Sequence, residues 1–172
     1  MRANRIPIIN TGFTKGDSGL AQRLQGEIEG EVLFDAFSRG RYSTDASHYQ
    51  IEPLGVVIAK TEQDVRTAME IATEEGIPLL PRGGGTSQCG QTIGEALVVD
   101  VSKYLNRVLD FDADAGTASV EPGVALDQLN AFLNPYGYMF TVDVSTSSRA
   151  TIGGMTGNNS CGARSIRYGT MR

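Results

Sequence analysis

The sequence predicts an α+β fold in which a β-α-β unit over residues 54–80 is followed by an antiparallel hairpin and further helices. Three observations carry that reading. Leu54-Gly-Val-Val-Ile-Ala59 is an unbroken apolar run, as a strand buried on both faces requires. Val65, Ala68, Met69 and Ala72 recur at helical spacing just after it. Residues 107–111 and 117–121 alternate apolar and polar around a turn containing Asp114-Ala-Gly116.

Residues 1–45 mix polar, charged and glycine residues, with Leu20, Leu24 and Ile28 spaced as on one face of a short helix. They read as a helical extension carrying no chemistry, ahead of a domain over 46–172. Thr61 and Asp64 have the spacing of a capping box and open the helix of the β-α-β unit. Gly76 stops it, and Ile77-Pro-Leu-Leu80 forms the second strand. Ala96-Leu-Val-Val-Asp-Val101 is a third buried strand. Beyond Pro122-Gly123, the stripe Val124, Leu126, Leu129, Phe132 and Leu133 forms a helix ended by Asn134-Pro135 and Gly137. Tyr138-Met-Phe-Thr-Val142 reads as extended. No internal repeat or linker divides the region.

At 172 residues and 40% hydrophobic content the chain can bury a real core, which excludes a disordered tail. A net charge of −5 argues against a broad basic nucleic-acid face. Between Val144 and Arg172, however, there are four arginines and no Asp, Glu or Lys. That segment suits a small anionic ligand or, more plainly, an exposed basic tail. Two cysteines, Cys89 and Cys161, are too few for a disulfide framework and lack zinc-site spacing, so both read as small, buried, reduced fillers. Met1–Asn10 has no apolar run of signal-peptide length, and no segment approaches the ~20 residues of a membrane span. The expectation is a soluble cytoplasmic protein.

The 21 glycines follow no G-X-Y period, so local loop geometry must explain them. Pro81-Arg82-Gly83-Gly84-Gly85-Thr86-Ser87-Gln88-Cys89-Gly90-Gln91 places three adjacent residues without Cβ after a strand. Such backbone can curl so that successive N–H groups point into one hollow and meet phosphate oxygens, and Thr86 and Ser87 add hydroxyls. The spacing is neither that of a P-loop nor G-x-G-x-x-G, which sets aside ATPase and Rossmann dehydrogenase readings. The second loop, Ser145–Gly169, interleaves Gly153, Gly154, Gly157 and Gly162 with Ser, Thr and Asn. It reads as a polar wrap with too little apolar content for a core element. Alone it also fits a flexible surface loop.

Pro81–Gln91 and Thr151–Gly169, in that order after a β-α-β unit and with the Glu121-Pro-Gly123 helix between them, resemble the FAD-binding domain of the vanillyl-alcohol oxidase/para-cresol methylhydroxylase (PCMH) family. The likeness covers residues 45–172 and is strongest to the branch of D-lactate, glycolate and D-2-hydroxyglutarate dehydrogenases. It implies that Gly83, Gly84, Gly85, Thr86 and Ser87 wrap the FAD diphosphate, with Gly90 and Gln91 continuing along the cofactor. It further implies that Ser147, Thr151, Gly153, Gly154, Asn158, Asn159, Ser160 and Gly162 approach the diphosphate, ribityl and flavin region, with Ser145 and Thr146 beside them. Arg82 and Arg164 are candidates to neutralise diphosphate charge or simply to pack.

Relatives that attach FAD covalently read Gly-Gly-His in the first loop. Thr86 stands there in this chain and cannot make a histidyl bond, so the implied FAD is dissociable. His48 is the chain's one histidine and reads as a partly exposed loop residue. In the family a substrate domain follows, so this chain is expected to be the incomplete front part of an oxidoreductase and inactive alone, with no catalytic or metal-binding residue assigned within it. The parent is implied to oxidise a small D-2-hydroxy acid. Ser145–Arg164 looks most like large members that add an iron–sulfur domain, which implies a cluster in the parent and none here, and at most a peripheral membrane association there. Two other readings stay open: a non-catalytic module for another diphosphate ligand such as a nucleotide sugar, and a scaffold fragment that self-associates into a homo-oligomer through open strand edges.

Overall fold

The computed structural model describes residues 14–171, so the readings of Met1–Asn10 and Arg172 lie outside the described residues. Helix α1, Ser18–Glu27, is capped by the Asp17 carboxylate, which accepts from the Leu20 amide at 2.9 Å. It buries Leu20 and Leu24 of the expected stripe, while Ile28 falls just past the helix as its extended C-cap residue. Strand β1, Glu31–Leu33, and helix α2, Ala36–Arg41, follow. Strand β2, Gly55–Ile58, is buried along its whole length.

Helix α3, Glu62–Glu74, opens on the expected capping box. Asp64 does more than cap: its carboxylate, 2% exposed, also accepts from the amides of Glu29 at 2.9 Å and Lys60 at 2.8 Å, fixing the α1–β1 connection to the start of α3. Gly76 ends the helix in the left-handed region at φ +66. Strand β3 covers Leu79–Arg82, two residues later than the expected 77–80, because Ile77 is used to fill the core while its amide bonds the Ala72 carbonyl. Strand β4 is Leu97–Asp100.

The sheet order is β1-β2-β4-β3, with β1 antiparallel to β2 and the other pairs parallel. The two strands of the β-α-β unit are therefore separated by β4. Because β3 and β4 are parallel neighbours, the chain must return from the carboxyl end of one to the amino end of the other. Here no helix makes that return. The glycine-rich stretch 83–96 does, so the first loop necessarily starts at the carboxyl edge of the sheet, where ligands of open α/β sheets sit.

Strands β5, Val108–Asp112, and β6, Thr117–Val120, form the expected hairpin. Helix α4, Leu126–Leu133, buries Leu126, Leu129 and Leu133 and runs into a 3-10 turn, Asn134–Tyr136, closed by Gly137 at φ +78. Tyr138–Val142 is irregular, not a strand. The Tyr138 amide bonds the Leu133 carbonyl and the Phe140 amide bonds the Asn130 side chain, so those donors are spent on α4 and not on a ladder.

The second loop differs most from expectation. Ile152–Asn158 is a helix, α5, with Ile152 and Met155 buried; Ser165–Tyr168 forms a short helix, α6. The segment is thus partly a core element.

Besides a small one of Val56, Ile58 and Val98 on the opposite face of the sheet, two larger apolar clusters result. One lies between the sheet, α1 and α3 and includes Leu24, Val57, Ile71, Leu97 and Val99. The other gathers Val124, Leu126, Leu129, Ala150, Ile152 and Met155 around α4 and α5, with the hairpin residues Val108, Phe111 and Val120 against it. Among the described residues no helix is long and apolar enough to cross a membrane.

Candidate functional site

The first loop springs from β3 in the sheet cluster, and the second is anchored on α5 in the other cluster. They meet in direct backbone contact. A Cβ at Gly83 would collide with the Thr151 hydroxyl, and one at Gly84 with the carbonyl of Arg149. The absence of side chains at both positions is what allows this approach. Gly85 sits at φ +65 and its carbonyl accepts from the Ala46 amide at 3.1 Å, which turns the loop over the 42–47 segment. Gly90, at φ +72, packs on the Tyr49 ring, where a Cβ would lie 2.9 Å from Cδ2.

The amides of Gly83, Gly84, Gly85, Thr86 and Ser87 donate to no acceptor among the described residues. Five consecutive amides without a protein acceptor thus follow the carboxyl edge of a parallel sheet, and successive N–H groups of this kind can receive phosphate oxygens. The Ser87 hydroxyl is spent inside the loop: it donates to Gln91 Oε1 at 2.9 Å and accepts from the amides of Cys89 and Gln91. Ser87 and Gln91 therefore hold the loop's second half in shape.

In the second loop several expected donors have internal partners. The Gly153 amide bonds the Pro122 carbonyl at 2.8 Å, and the Gly154 amide bonds the buried Thr151 hydroxyl, which caps α5. The Gly162 amide bonds Ser165 Oγ at 3.0 Å, and Gly162 lies against Asp143, whose carboxylate also accepts from the Arg164 amide. Asn158 donates to Ser160 Oγ at 3.0 Å, and Asn159 closes α5 at φ +48. The Ser147 carbonyl accepts from the Asp127 amide, tying the 145–150 turn to α4. Of these residues Thr151 is the one that Gly83 rests on, and Gly84 rests on Arg149 just before it.

Arg82 lies beneath the first loop with its guanidinium engaged by protein carbonyls: Thr44 at 2.8 Å, Thr92 at 3.1 Å and Tyr42 at 3.3 Å. The Tyr42 hydroxyl in turn donates to the buried Asp100 carboxylate at 2.7 Å. Burial and that neighbouring carboxylate hold the hydroxyl far above the ordinary phenol range, so it remains a donor. Asp100 also accepts from the Ser102 amide and hydroxyl, each at 2.7 Å. The sequence reading missed Tyr42, Asp45, Thr92 and Asp100. The one available signal was an acidic residue closing the apolar strand Leu97-Val-Val-Asp100.

Cys89 and Cys161 are exposed, which corrects their reading as buried fillers. Each occupies loop backbone whose neighbours are polar, so no apolar pocket receives the thiol. His48 is exposed and stacks on Tyr49 with ring centroids 4.2 Å apart.

Residues 53–172 match a protein family described as "FAD binding domain". The chain belongs to this family. The FAD-binding domain is 42% identical over 153 residues to D-2-hydroxyglutarate dehydrogenase of Escherichia coli (strain K12), covering 87% of this chain and 15% of that protein. It is 35% identical over 151 residues to the glycolate oxidase subunit GlcD of Bacillus subtilis (strain 168), covering 85% of this chain and 32% of the relative. The structure of p-cresol methylhydroxylase with substrate bound superposes with a TM-score of 0.68 at 20% identity, over 87% of this chain and 31% of that one. The FAD-binding domain thus has the PCMH-type fold, and it spans a third or less of the length of these relatives.

Proposed function

We propose that the cradle holds FAD through its diphosphate without a covalent bond. One observation carries the reading: Gly83 and Gly84 rest on Arg149 and Thr151 while the amides from Gly83 to Ser87 remain free to donate. Gly83, Gly84, Gly85, Thr86 and Ser87 would take the phosphate oxygens. Gly90 and Gln91 would continue along the cofactor, and Ser147, Thr151, Gly153, Gly154, Asn158, Asn159, Ser160 and Gly162 would form the wall beside the ribityl and flavin. Residues 46–172 would be the leading part of the domain, preceded by an extension over 1–45 whose strand β1 forms an edge of the same sheet.

Bound flavin supplies hydride and electron acceptance; the chain's own part is to bind, orient and shield it. Within a longer parent we place the activity with oxidation of a small D-2-hydroxy acid in the cytoplasm, electrons leaving to a further acceptor such as an iron–sulfur domain. Support for the substrate class is the similarity to D-2-hydroxyglutarate dehydrogenase and the glycolate oxidase subunit.

The test mixes the purified chain with FAD, removes free ligand by gel filtration and scans the visible spectrum. The expected result is a stoichiometric yellow protein that gives its colour to the supernatant after acid precipitation. Colour retained in the pellet overturns the non-covalent reading. Retention of a nucleotide sugar in place of FAD points to a different diphosphate ligand, and an oligomer that takes up neither points to a scaffold. In the longer parent, D-2-hydroxyglutarate, D-lactate or the achiral glycolate should bleach the flavin, while L-2-hydroxyglutarate and L-lactate do not.

A further inference from the structure

The neck of the first loop is closed by one side chain. Arg82 is the last residue of β3, and Thr92 is the first residue beyond the Gly83–Gln91 loop; the Arg82 guanidinium spans them by donating to the Thr92 carbonyl at 3.1 Å. The same group reaches across to the carbonyls of Tyr42 and Thr44 and packs on the Tyr42 ring with its central carbon 5.1 Å from the centroid. Thr92 is held from its other side by Asp45, which accepts from its hydroxyl at 3.0 Å. Above the guanidinium lies Gly85, whose Cβ, if present, would stand 2.8 Å from Nη2. A compact loop with closely held ends keeps one curvature only if its neck is fixed.

We infer that Arg82 is the positioning residue of the cradle: by bridging the carbonyls of Tyr42, Thr44 and Thr92 it closes the loop's neck and sets the curvature that presents the amides of Gly83 to Ser87. This role goes beyond, and rests on, the reading of that loop as a diphosphate cradle. It assigns Arg82 to protein carbonyls that flank the loop and not to direct charge neutralisation of the ligand. Three carbonyls in different directions require the planar fork of a guanidinium; the ammonium of lysine is a point charge and cannot span them. Charge and geometry can therefore be separated by substitution.

The experiment compares the wild-type chain with Arg82→Lys and Arg82→Met, using circular dichroism to verify folding. In the ligand-free proteins, hydrogen exchange is followed at the Ala46 amide, which is bonded to the Gly85 carbonyl, alongside proteolytic cleavage within 83–91. FAD affinity is then measured against salt concentration. The expected result is faster Ala46 exchange and faster loop cleavage in both variants. Both should lose FAD affinity about tenfold or more, with a salt dependence unchanged from wild type. Should Arg82→Met fail to fold, Arg82→Lys alone carries the comparison, since it keeps charge and stem. An Arg82→Lys protein with wild-type affinity and wild-type Ala46 exchange overturns the inference. A flattened salt dependence in Arg82→Met with Ala46 still protected overturns it in favour of a direct ligand contact. Failure of the wild-type chain to take up FAD sinks the cofactor reading instead, and Ala46 exchange with loop cleavage then decides the clamp by themselves.

Discussion

The α-carbon of Gly84 lies so close to the carbonyl oxygen of Arg149 that a single methyl group would drive the two loops apart. Gly84→Ala should therefore destabilise the fold by about 1–3 kcal/mol, the usual range for forced overpacking, and should reduce FAD uptake more than stability accounts for. Gly157→Ala is the contrasting substitution. Nothing lies within 4 Å of its added Cβ, and it sits inside α5, so it should be neutral or stabilising by about 0.5–1 kcal/mol. Urea unfolding of both variants checks the pair, and equal stabilities would refute the collision at Gly84.

Tyr42→Phe removes the hydroxyl that donates to Asp100, a carboxylate 6% exposed. Leaving a buried carboxylate one donor short should cost about 1–3 kcal/mol. Chemical denaturation measures it. A cost below the uncertainty of the method would mean that water replaces the phenol.

The Arg107 guanidinium, bonded to Glu121 at 2.8 Å, holds that buried carboxyl below its ordinary value of 4.5. A carboxyl depressed in the folded state stabilises at and above its ordinary value, and the contribution is lost as pH falls through the folded value. Stability should decline on acidification below about 4.5. In Glu121→Gln the melting temperature should be lower at neutral pH and its acid decline shallower. Parallel wild-type and variant curves between neutral pH and the acid limit would refute the linkage.

Both thiols are exposed, so native protein should react with two equivalents of a thiol reagent without denaturant. If FAD occupies the first loop, Cys89 should react more slowly in its presence. Mass spectrometry of labelled peptides checks both statements.

Local features were legible in the sequence. Thr61 and Asp64 are three residues apart, and the turn around Gly116, at φ +65, lies between the strands it joins. What escaped depended on distant partners. The insertion of β4 between β2 and β3 is a pairing of segments some forty residues apart, which no local pattern encodes. Helix α5 was hidden by Gly153, Gly154 and Gly157, poor helix formers. The Pro122 carbonyl and the buried side chains Ile152 and Met155 hold it in place; the three-residue spacing of that pair behind Thr151 was the available clue. The first loop stood out as a candidate cradle because a run of residues without side chains is visible in sequence. Its clamp did not, because Tyr42, Thr44 and Thr92 contribute carbonyls, which every residue type possesses.

β3 delivers Gly83 from one apolar cluster, and Thr151 opens α5 from the other. The seam between the two larger clusters thus runs through the place where the loops touch. Any substitution that shifts one cluster against the other, however remote, will be felt there first as a change in grip, long before either interior loosens.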